Sequence, residues 1–375
     1  MSMKRKVAIL TNIPSPYRVD FFAYLQKNFA DYEFHIIFQA GNGASFREWE
    51  DDTDKLSDVH FLDGKAVADR NTKSDKKEFF LTRGVSDVLK EIAPDVCVIS
   101  EYNQTAIQMR SFCTKNHIPY VSWTDGTIHS ERNLHFYHRL ARKYLISRAA
   151  AYIASSQDSA DNQISMGADP KKISISELAV DIHQFDGRGT NYDPDGYLLA
   201  VGGLIERKGI DLLLRALEKC KDLNWNLHLA GTGDAKEDIV KLSEELGIND
   251  RIVYRGYLKG EDLIKEYEGS SLCVFPTRED CFGLVPLEAM CCAVPVLGAK
   301  FAASSRDLIV DGKTGYVIDP FDTDSFASVI RLTLSNKEKL AEMSKASKEA
   351  SLKYDFKYTS LGYIEAIEKA ILNSK

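Results

Sequence analysis

Two series of short, continuously apolar segments, each segment trailed by a longer helical pattern, constrain this chain more than any other feature. Val7–Thr11, Phe34–Phe38, Val96–Ser100, Tyr120–Trp123 and Ala151–Ser155 form the first series. Leu198–Val201, Leu227–Ala230, Ile252–Tyr254, Leu272–Phe275 and Val294–Leu297 form the second. A strand with one wet face alternates apolar and polar residues. A strand covered on both faces stays apolar throughout, as in parallel sheets between helix layers. Strand–helix–strand alternation in both halves predicts an α/β fold of two doubly wound, Rossmann-like parallel-sheet units. The stretch Asp186–Gly196 is polar and rich in Gly, Asp, Asn and Pro, so it reads as the linker. In such sheets ligands bind beyond the carboxyl ends of the strands, which directs attention to the loops there.

Composition narrows the class. A chain of 375 residues with 44% hydrophobic and 27% charged residues has material for a large core, which excludes a disordered or disulfide-stapled chain. The net charge of −7 argues against a nucleic-acid binder. No apolar run approaches the roughly 20 residues of a membrane span. The start is basic and then apolar, but it stops at Leu10 with no small-residue cleavage site, so a buried strand is expected rather than a signal peptide. Seven scattered cysteines without a CxxC pair fit reduced thiols in a cytoplasmic protein, not a disulfide frame or a zinc site.

Three strand-end segments carry chemistry. Phe275–Met290 runs from a strand through a loop into a helix, with Pro286 suited to the first turn and Gly283 allowing close backbone approach. The free N–H groups at such a helix start seat phosphate, and Glu288 one turn in can accept from sugar hydroxyls. The alternative makes Asp280 a helix cap and Glu288 a solvated helix residue. Val201–Asp211 places Arg207 and Lys208 between glycines at a strand end, which suits a diphosphate or, alternatively, a basic surface turn. Gly231-Thr-Gly233 follows a third strand but lacks the spacing of a dinucleotide fingerprint.

Together these segments resemble the retaining glycosyltransferases of family 4, the group 1 glycosyltransferases. Phe282-Gly283-Leu284 and Leu287-Glu288-Ala289-Met290 match that family's E-x7-E motif, with Asp280 where its first acid is Glu. Lys208-Gly209 match its G-R-L-x-x-x-K-G pattern, with Gly203 at the Arg position and Arg207 adjacent as a substitute. Arg255-Gly256-Tyr257-Leu258 is similar to its base-reading loop, and Val180-Asp181 with Phe185 to its domain junction. Asp307–Gly315 is similar to its E-I-V-x-D-G-x-x-G segment, with Ala303-Ser304 where two glycines usually stand.

The resemblance implies the GT-B fold, with two Rossmann-like domains facing across a cleft. Residues 1–185 would bind the acceptor, 186–355 the nucleotide sugar, and 356–375 would form a helix packing back on the first domain. It implies transfer of a sugar from a nucleoside-diphosphate sugar, by default a UDP-sugar, to the hydroxyl of a saccharide or lipid-linked acceptor, with retention. Bacterial cell-surface polysaccharide or glycolipid synthesis is the implied setting. Donor-binding residues would be Gly203, Arg207, Lys208, Gly231, Gly233, Tyr257, Leu258, Asp280, Phe282, Gly283, Leu284 and Glu288, with Lys208 and Asp280 also catalytic. In the first domain, Pro16, Tyr17, Arg18 and Glu101 would meet the acceptor, and Asp125 and His129 are the catalytic or orienting candidates. Arg18 alternatively pairs with Asp20.

No cofactor or metal is expected, because fixed cations and a helix terminus take the metal's place. The triplets Asp52-Thr-Asp54, Asp193-Pro-Asp195 and Asp322-Thr-Asp324 read as loops. The cationic pattern His135–Arg148 suits an anionic membrane surface at the inner face of the cell membrane, or a packed helix with solvated cations. Two other readings stay open: a sugar-nucleotide epimerase of the same fold, and a catalytically impaired sugar-nucleotide-binding partner subunit.

Overall fold

The computed structural model describes residues 4–41, 52–68 and 78–373. Two compact units emerge. The first holds the described residues up to Asp181 together with those from Phe356 onward, and the second spans Ile182–Asp355. The division thus falls at Asp181/Ile182, where the sequence reading set 185/186.

The first unit contains β1 (Arg5–Thr11), β2 (Tyr32–Phe38), β3 (Val59–Phe61), β4 (Asp63–Ala68), β5 (Glu78–Arg83), β6 (Val96–Ser100), β7 (Tyr120–Thr124), β8 (Ala151–Ala154) and β9 (Ile173–Ile175). Seven of them form a parallel sheet of order β3-β2-β1-β6-β7-β8-β9, while β4 and β5 pair as an antiparallel hairpin. Five helices connect the strands: α1 (Pro16–Asn28), α2 (Val85–Ile92), α3 (Gln104–Lys115), α4 (Phe136–Ile146) and α5 (Gln157–Ser165). The reason for unbroken apolarity is visible in β1. Val7 and Ile9 enter one hydrophobic cluster, and Ala8 and Leu10 enter another on the opposite face.

The C-terminal helix Phe356–Leu372 belongs to this unit. It buries Tyr363, Ala366, Ile367 and Ala370 in the cluster of Val7 and Ile9. The Tyr363 ring meets Phe21 and Trp123 edge-on, each at 5.5 Å between centroids, a favoured aromatic geometry. Ser176 donates to the Thr359 carbonyl at 3.0 Å.

The second unit contains β10 (Tyr197–Val201), β11 (Leu227–Ala230), β12 (Ile252–Gly256), β13 (Ser270–Phe275), β14 (Val296–Ala299) and β15 (Gly315–Ile318). They form a parallel sheet of order β12-β11-β10-β13-β14-β15. Its helices are α6 (Ile210–Glu218), α7 (Lys236–Glu245), α8 (Gly260–Glu268), α9 (Val285–Cys291), α10 (Ala303–Leu308), α11 (Thr323–Leu334) and α12 (Lys337–Ser351).

Several expectations need correction. β14 starts two residues later than predicted, because the Val294 N–H still closes the end of α9 on the Ala289 carbonyl at 2.9 Å. β3, β9, β15 and the β4–β5 hairpin were not anticipated; each is short or polar enough to lack a buried-strand signature. α4 buries only Leu145 and Ile146, leaving Phe136, Tyr137, Leu140 and Tyr144 exposed, so it is not a fully packed helix. No helix among the described residues is long and apolar enough to cross a membrane. Two of the three Asp-x-Asp triplets serve local structure: Asp193 accepts from the Asp195 N–H at 2.9 Å, and Asp322 caps α11 through the Ser325 N–H at 3.0 Å, so Thr323 and Asp324 stand in a helix and not in the loop expected. Asp51–Asp58 and Lys73–Glu78 are charge-rich and poor in apolar residues, which predicts loops or solvated faces; Asp51 and residues 73–77 lie outside the described residues.

Candidate functional site

In the second unit the loops after β10 and β13 are locked together. Gly209 adopts φ +69°, and a Cβ there would lie 2.1 Å from the Pro276 carbonyl oxygen, so only glycine lets the two loops approach. The Arg278 N–H and the Thr277 hydroxyl both donate to the Arg207 carbonyl, at 2.8 and 3.0 Å. The Arg278 guanidinium grips both carboxylate oxygens of Asp211 at 2.7 and 2.6 Å. This framework presents the two cations. Lys208 Nζ lies 2.6 Å from Asp280 Oδ2, and Arg207 Nη1 lies 3.3 Å from the same oxygen. Arg207 also donates to the Glu279 carbonyl at 3.0 Å, and the Lys208 ammonium sits 5.0 Å above the Phe275 ring.

Beyond Asp280 the chain turns through Gly283, at φ +83°, where a Cβ would meet the Phe275 ring at 2.7 Å. Phe282 is buried, and its carbonyl accepts from the Ser304 hydroxyl at 2.6 Å. Ser304 therefore braces the turn at a position where the resemblance led us to expect glycine. Helix α9 begins after Leu284 with Pro286 in its first turn and, among the described residues, no side-chain cap. Glu288 accepts from the Tyr267 hydroxyl at 2.8 Å.

The two carboxyls are driven apart. Burial raises Asp280, but Lys208 and Arg207 outweigh it and hold the carboxyl below its usual range. Burial raises Glu288 above its usual range, against a smaller lowering by Tyr267. Environment thus gives two acids of one motif opposite protonation tendencies. Because the folded-state value of Glu288 is raised, its ionisation costs stability as pH climbs from the ordinary carboxyl range, about 4.3, toward the raised value. Glu288→Gln is expected to raise the melting temperature at pH 7 by roughly 2–4 °C, equivalent to about 1 kcal/mol in a unit of this size. The gain should shrink markedly near pH 4, where wild-type Glu288 is mostly protonated both folded and unfolded. Calorimetric melting at both pH values checks this; an equal gain at both would refute the assignment.

The remaining candidates in this unit occupy strand-end loops. The Gly231 N–H donates to the Gly256 carbonyl at 2.7 Å, and the Leu204 N–H to the Thr232 carbonyl at 2.7 Å, which lays the loops of Gly203 and Gly233 side by side. At Gly203 a notional Cβ would make ordinary van der Waals contact, 3.7 Å from the Thr232 carbonyl oxygen. Tyr257 is exposed and Leu258 half-buried in the loop after β12. The structure brings Arg207, Lys208 and Asp280 together and places Gly283, Leu284 and Glu288 along the following turn and helix. Thr277, Ser304 and Tyr267, which hold these groups, escaped sequence reasoning; nothing local marks them.

In the first unit the loop after β1 ends at Ser15, and Pro16, Tyr17 and Arg18 form the first turn of α1, from which Arg18 turns inward. The Arg18 side chain is 7% exposed and donates to Asp125 Oδ2 at 2.7 Å and to the Thr11 hydroxyl, with Glu101 at 3.7 Å. Its guanidinium also lies 4.7 Å over the Trp123 ring. Burial lowers Arg18, but Tyr17, Asp125 and Glu101 together raise it, so it stays a cation. Its charge is paired with internal carboxylates. The alternative partner, Asp20, is held by Lys55 at 2.7 Å. Asp125 accepts from Arg18 and from the Ser155 hydroxyl. His129, four residues on, accepts from Arg132 at its carbonyl at 2.5 Å. Glu101 sits at φ +67°, a left-handed conformation unusual for a non-glycine residue.

The family model described as glycosyl transferases group 1 matches residues 182–350. A D-inositol 3-phosphate glycosyltransferase of Mycobacterium sp. (strain KMS) is 29% identical over 209 residues, covering 52% of this chain and 47% of the relative. A sulfoquinovosyl transferase of Arabidopsis thaliana is 30% identical over 174 residues, covering 45% and 33%. The chain thus spans about half or less of the length of these curated relatives. Across the whole fold, Anabaena HepE, solved in complex with UDP, superimposes with a TM-score of 0.76 at 18% identity, covering 98% of this chain and all of HepE. Residues 182–350 therefore carry a match to the group 1 glycosyl transferases, in a chain of GT-B fold.

Proposed function

We propose that this protein transfers a sugar from a UDP-sugar to an acceptor hydroxyl with retention of configuration and without a metal. The observation that carries the proposal is the convergence of Lys208 and Arg207 on one carboxylate oxygen beside the Gly283 turn. Two fixed cations and the start of α9 offer what a departing diphosphate needs. As the sugar C1–O bond breaks, negative charge grows on the phosphate oxygens, and preformed donors stabilise that state more than the bound substrate. Asp280 holds the cations in place before the donor arrives. Glu288 accepts from donor hydroxyls. Arg207 supplies the charge that an Arg at Gly203 would bring. UDP as the nucleotide is supported by the fold shared with HepE, which was solved with UDP.

The acceptor side belongs to the first unit. Helix α4 and its flanks enclose a groove of about 530 Å³ whose walls include Ile128, Leu134, Phe136 and Leu140 with Arg139 and Lys143. Apolar side chains rimmed by cations suit a lipid-linked acceptor at an anionic membrane face. The setting we propose is cytoplasmic synthesis of cell-surface polysaccharide or glycolipid.

Calorimetric titration with UDP, GDP, ADP and their sugars tests the donor. UDP-sugar is expected to bind tightest and to raise the melting temperature, with proton NMR of the product reporting retention and EDTA leaving turnover intact. Failure of every sugar nucleotide to shift melting would overturn the proposal. A second reading, a binding subunit without turnover, is favoured by the shortened acid at Asp280 and by Gly203; binding with no product across varied acceptors would select it. Altered sugar in the absence of any acceptor would instead select an epimerase.

A further inference from the structure

At the edge of the first unit's sheet, β2 and β3 pair in parallel with Ile37 opposite His60. Side chains two apart along a strand share a face, so Glu33, His35 and Ile37 line one face of β2, and His60 stands on that face of β3. Asp58 immediately precedes β3. His35 Nδ1 lies 3.0 Å from Asp58 Oδ2, and His60 Nε2 lies 3.0 Å from Asp58 Oδ1. His35 Nε2 lies 3.3 Å from Glu33 Oε1. The ligand atoms of His35, Asp58 and His60 all fall within 4.8 Å of one another.

The hydrogen bonding of His35 is what singles this cluster out. The residue is 6% exposed, yet neither ring nitrogen makes an aligned hydrogen bond among the described residues, and neither does His60 Nε2. Buried imidazoles ordinarily spend their nitrogens on such bonds. Nitrogen and oxygen facing each other at this separation without an aligned N–H is the relation between two ligands of one ion. Bonds of 2.0–2.2 Å in a tetrahedral zinc site set neighbouring ligands about 3.3–3.5 Å apart, between the 3.0 Å histidine–aspartate separations and the 4.8 Å outer limit of the set. Glu33 Oε1, 3.3 Å from the far nitrogen of His35 though not aligned with it here, is within reach of the partner's role in the carboxylate–histidine arrangement that orients metal-bound imidazoles. The backbone is also preset. The Gln26 amide of α1 donates to the Phe34 and Asp58 carbonyls at 2.9 and 3.0 Å, and accepts from the Ser57 N–H at 2.9 Å.

We propose that His35, Asp58 and His60 bind a divalent transition metal of the zinc type, with Glu33 orienting His35. The ion clips β3 to β2 and leaves one coordination position for water. Borderline imidazole and carboxylate ligands select zinc-type ions over calcium or magnesium. The site is independent of sugar transfer, and its test reads metal, not turnover.

The full chain, stripped with EDTA and dialysed, is titrated with Zn²⁺ by calorimetry and with Co²⁺ by visible spectroscopy. One equivalent of either ion is expected, with tetrahedral cobalt bands, no thiolate charge-transfer band and a raised melting temperature. Asp58→Asn and His60→Ala, at the less buried positions, should abolish uptake while the chain remains folded by circular dichroism. Glu33→Gln should weaken it about 10–100-fold. Lack of stoichiometric uptake, uptake unchanged in His60→Ala, or a thiolate band pointing to the exposed Cys281 would each overturn the site.

Discussion

Lys208→Ala is expected to lower the turnover number for sugar transfer by about 10²–10³-fold, the loss typical of removing one preorganised donor to developing charge. Lys208 is the nearer of the two cations on Asp280, 2.6 Å against 3.3 Å for Arg207, and its side chain is only 16% exposed. Water therefore screens it little, and its loss is felt where the leaving group carries its charge. Arg207→Ala should cost less, because Arg207 is more exposed and divides its donors between Asp280 and the Glu279 carbonyl. Single-turnover kinetics at saturating UDP-sugar separates the chemical step from binding, and melting curves show that the variant is folded. Normal turnover in Lys208→Ala would remove the residue from the mechanism.

Asp125→Ala is expected to destabilise the first unit by about 3 kcal/mol, the lower end of the range for stranding one member of a buried ion pair. Arg18 would keep only Glu101, at 3.7 Å, as an anionic partner. Arg18→Met removes the charge together with its need for a partner and fills similar volume against Trp123, so it should cost clearly less. Urea unfolding of both variants gives the order. If Arg18→Met proved the more damaging, the pair would not be the structural element described here, and an acceptor-binding role for Arg18 would regain its case.

The parallel-sheet architecture was legible because residues on both faces of each central strand had to be apolar; Val96–Ser100 and Leu227–Ala230 were located to the residue. Edges were not legible. β9 has only Ile173-Ser-Ile175, and β15 begins at a glycine, so neither carries the signature of double burial. In the second unit, Lys208, Asp280 and Gly283 were singled out by the motifs of two strand-end loops, although the contact between Lys208 and Asp280 spans 72 positions. The pairing of Arg18 with Asp125 could not be found from sequence, since the partners lie 107 positions apart and only the order of β1 and β7 in the sheet joins them. His35 and His60 escaped for the same reason, although Asp58-x-His60 offered a local hint.

The C-terminal helix of the first unit has a consequence for biosynthesis. A ribosome releases residues 5–175 long before 356–372, so the nascent sheet emerges with Val7, Ile9, Phe22 and Trp123 lacking the cover that Tyr363 and Ile367 supply. The intervening unit has every strand of its own sheet within 197–318 and can condense first. Assembly thus runs out of order along the message: the half translated earliest is completed last, and holdase chaperones would find their natural target on its uncovered face.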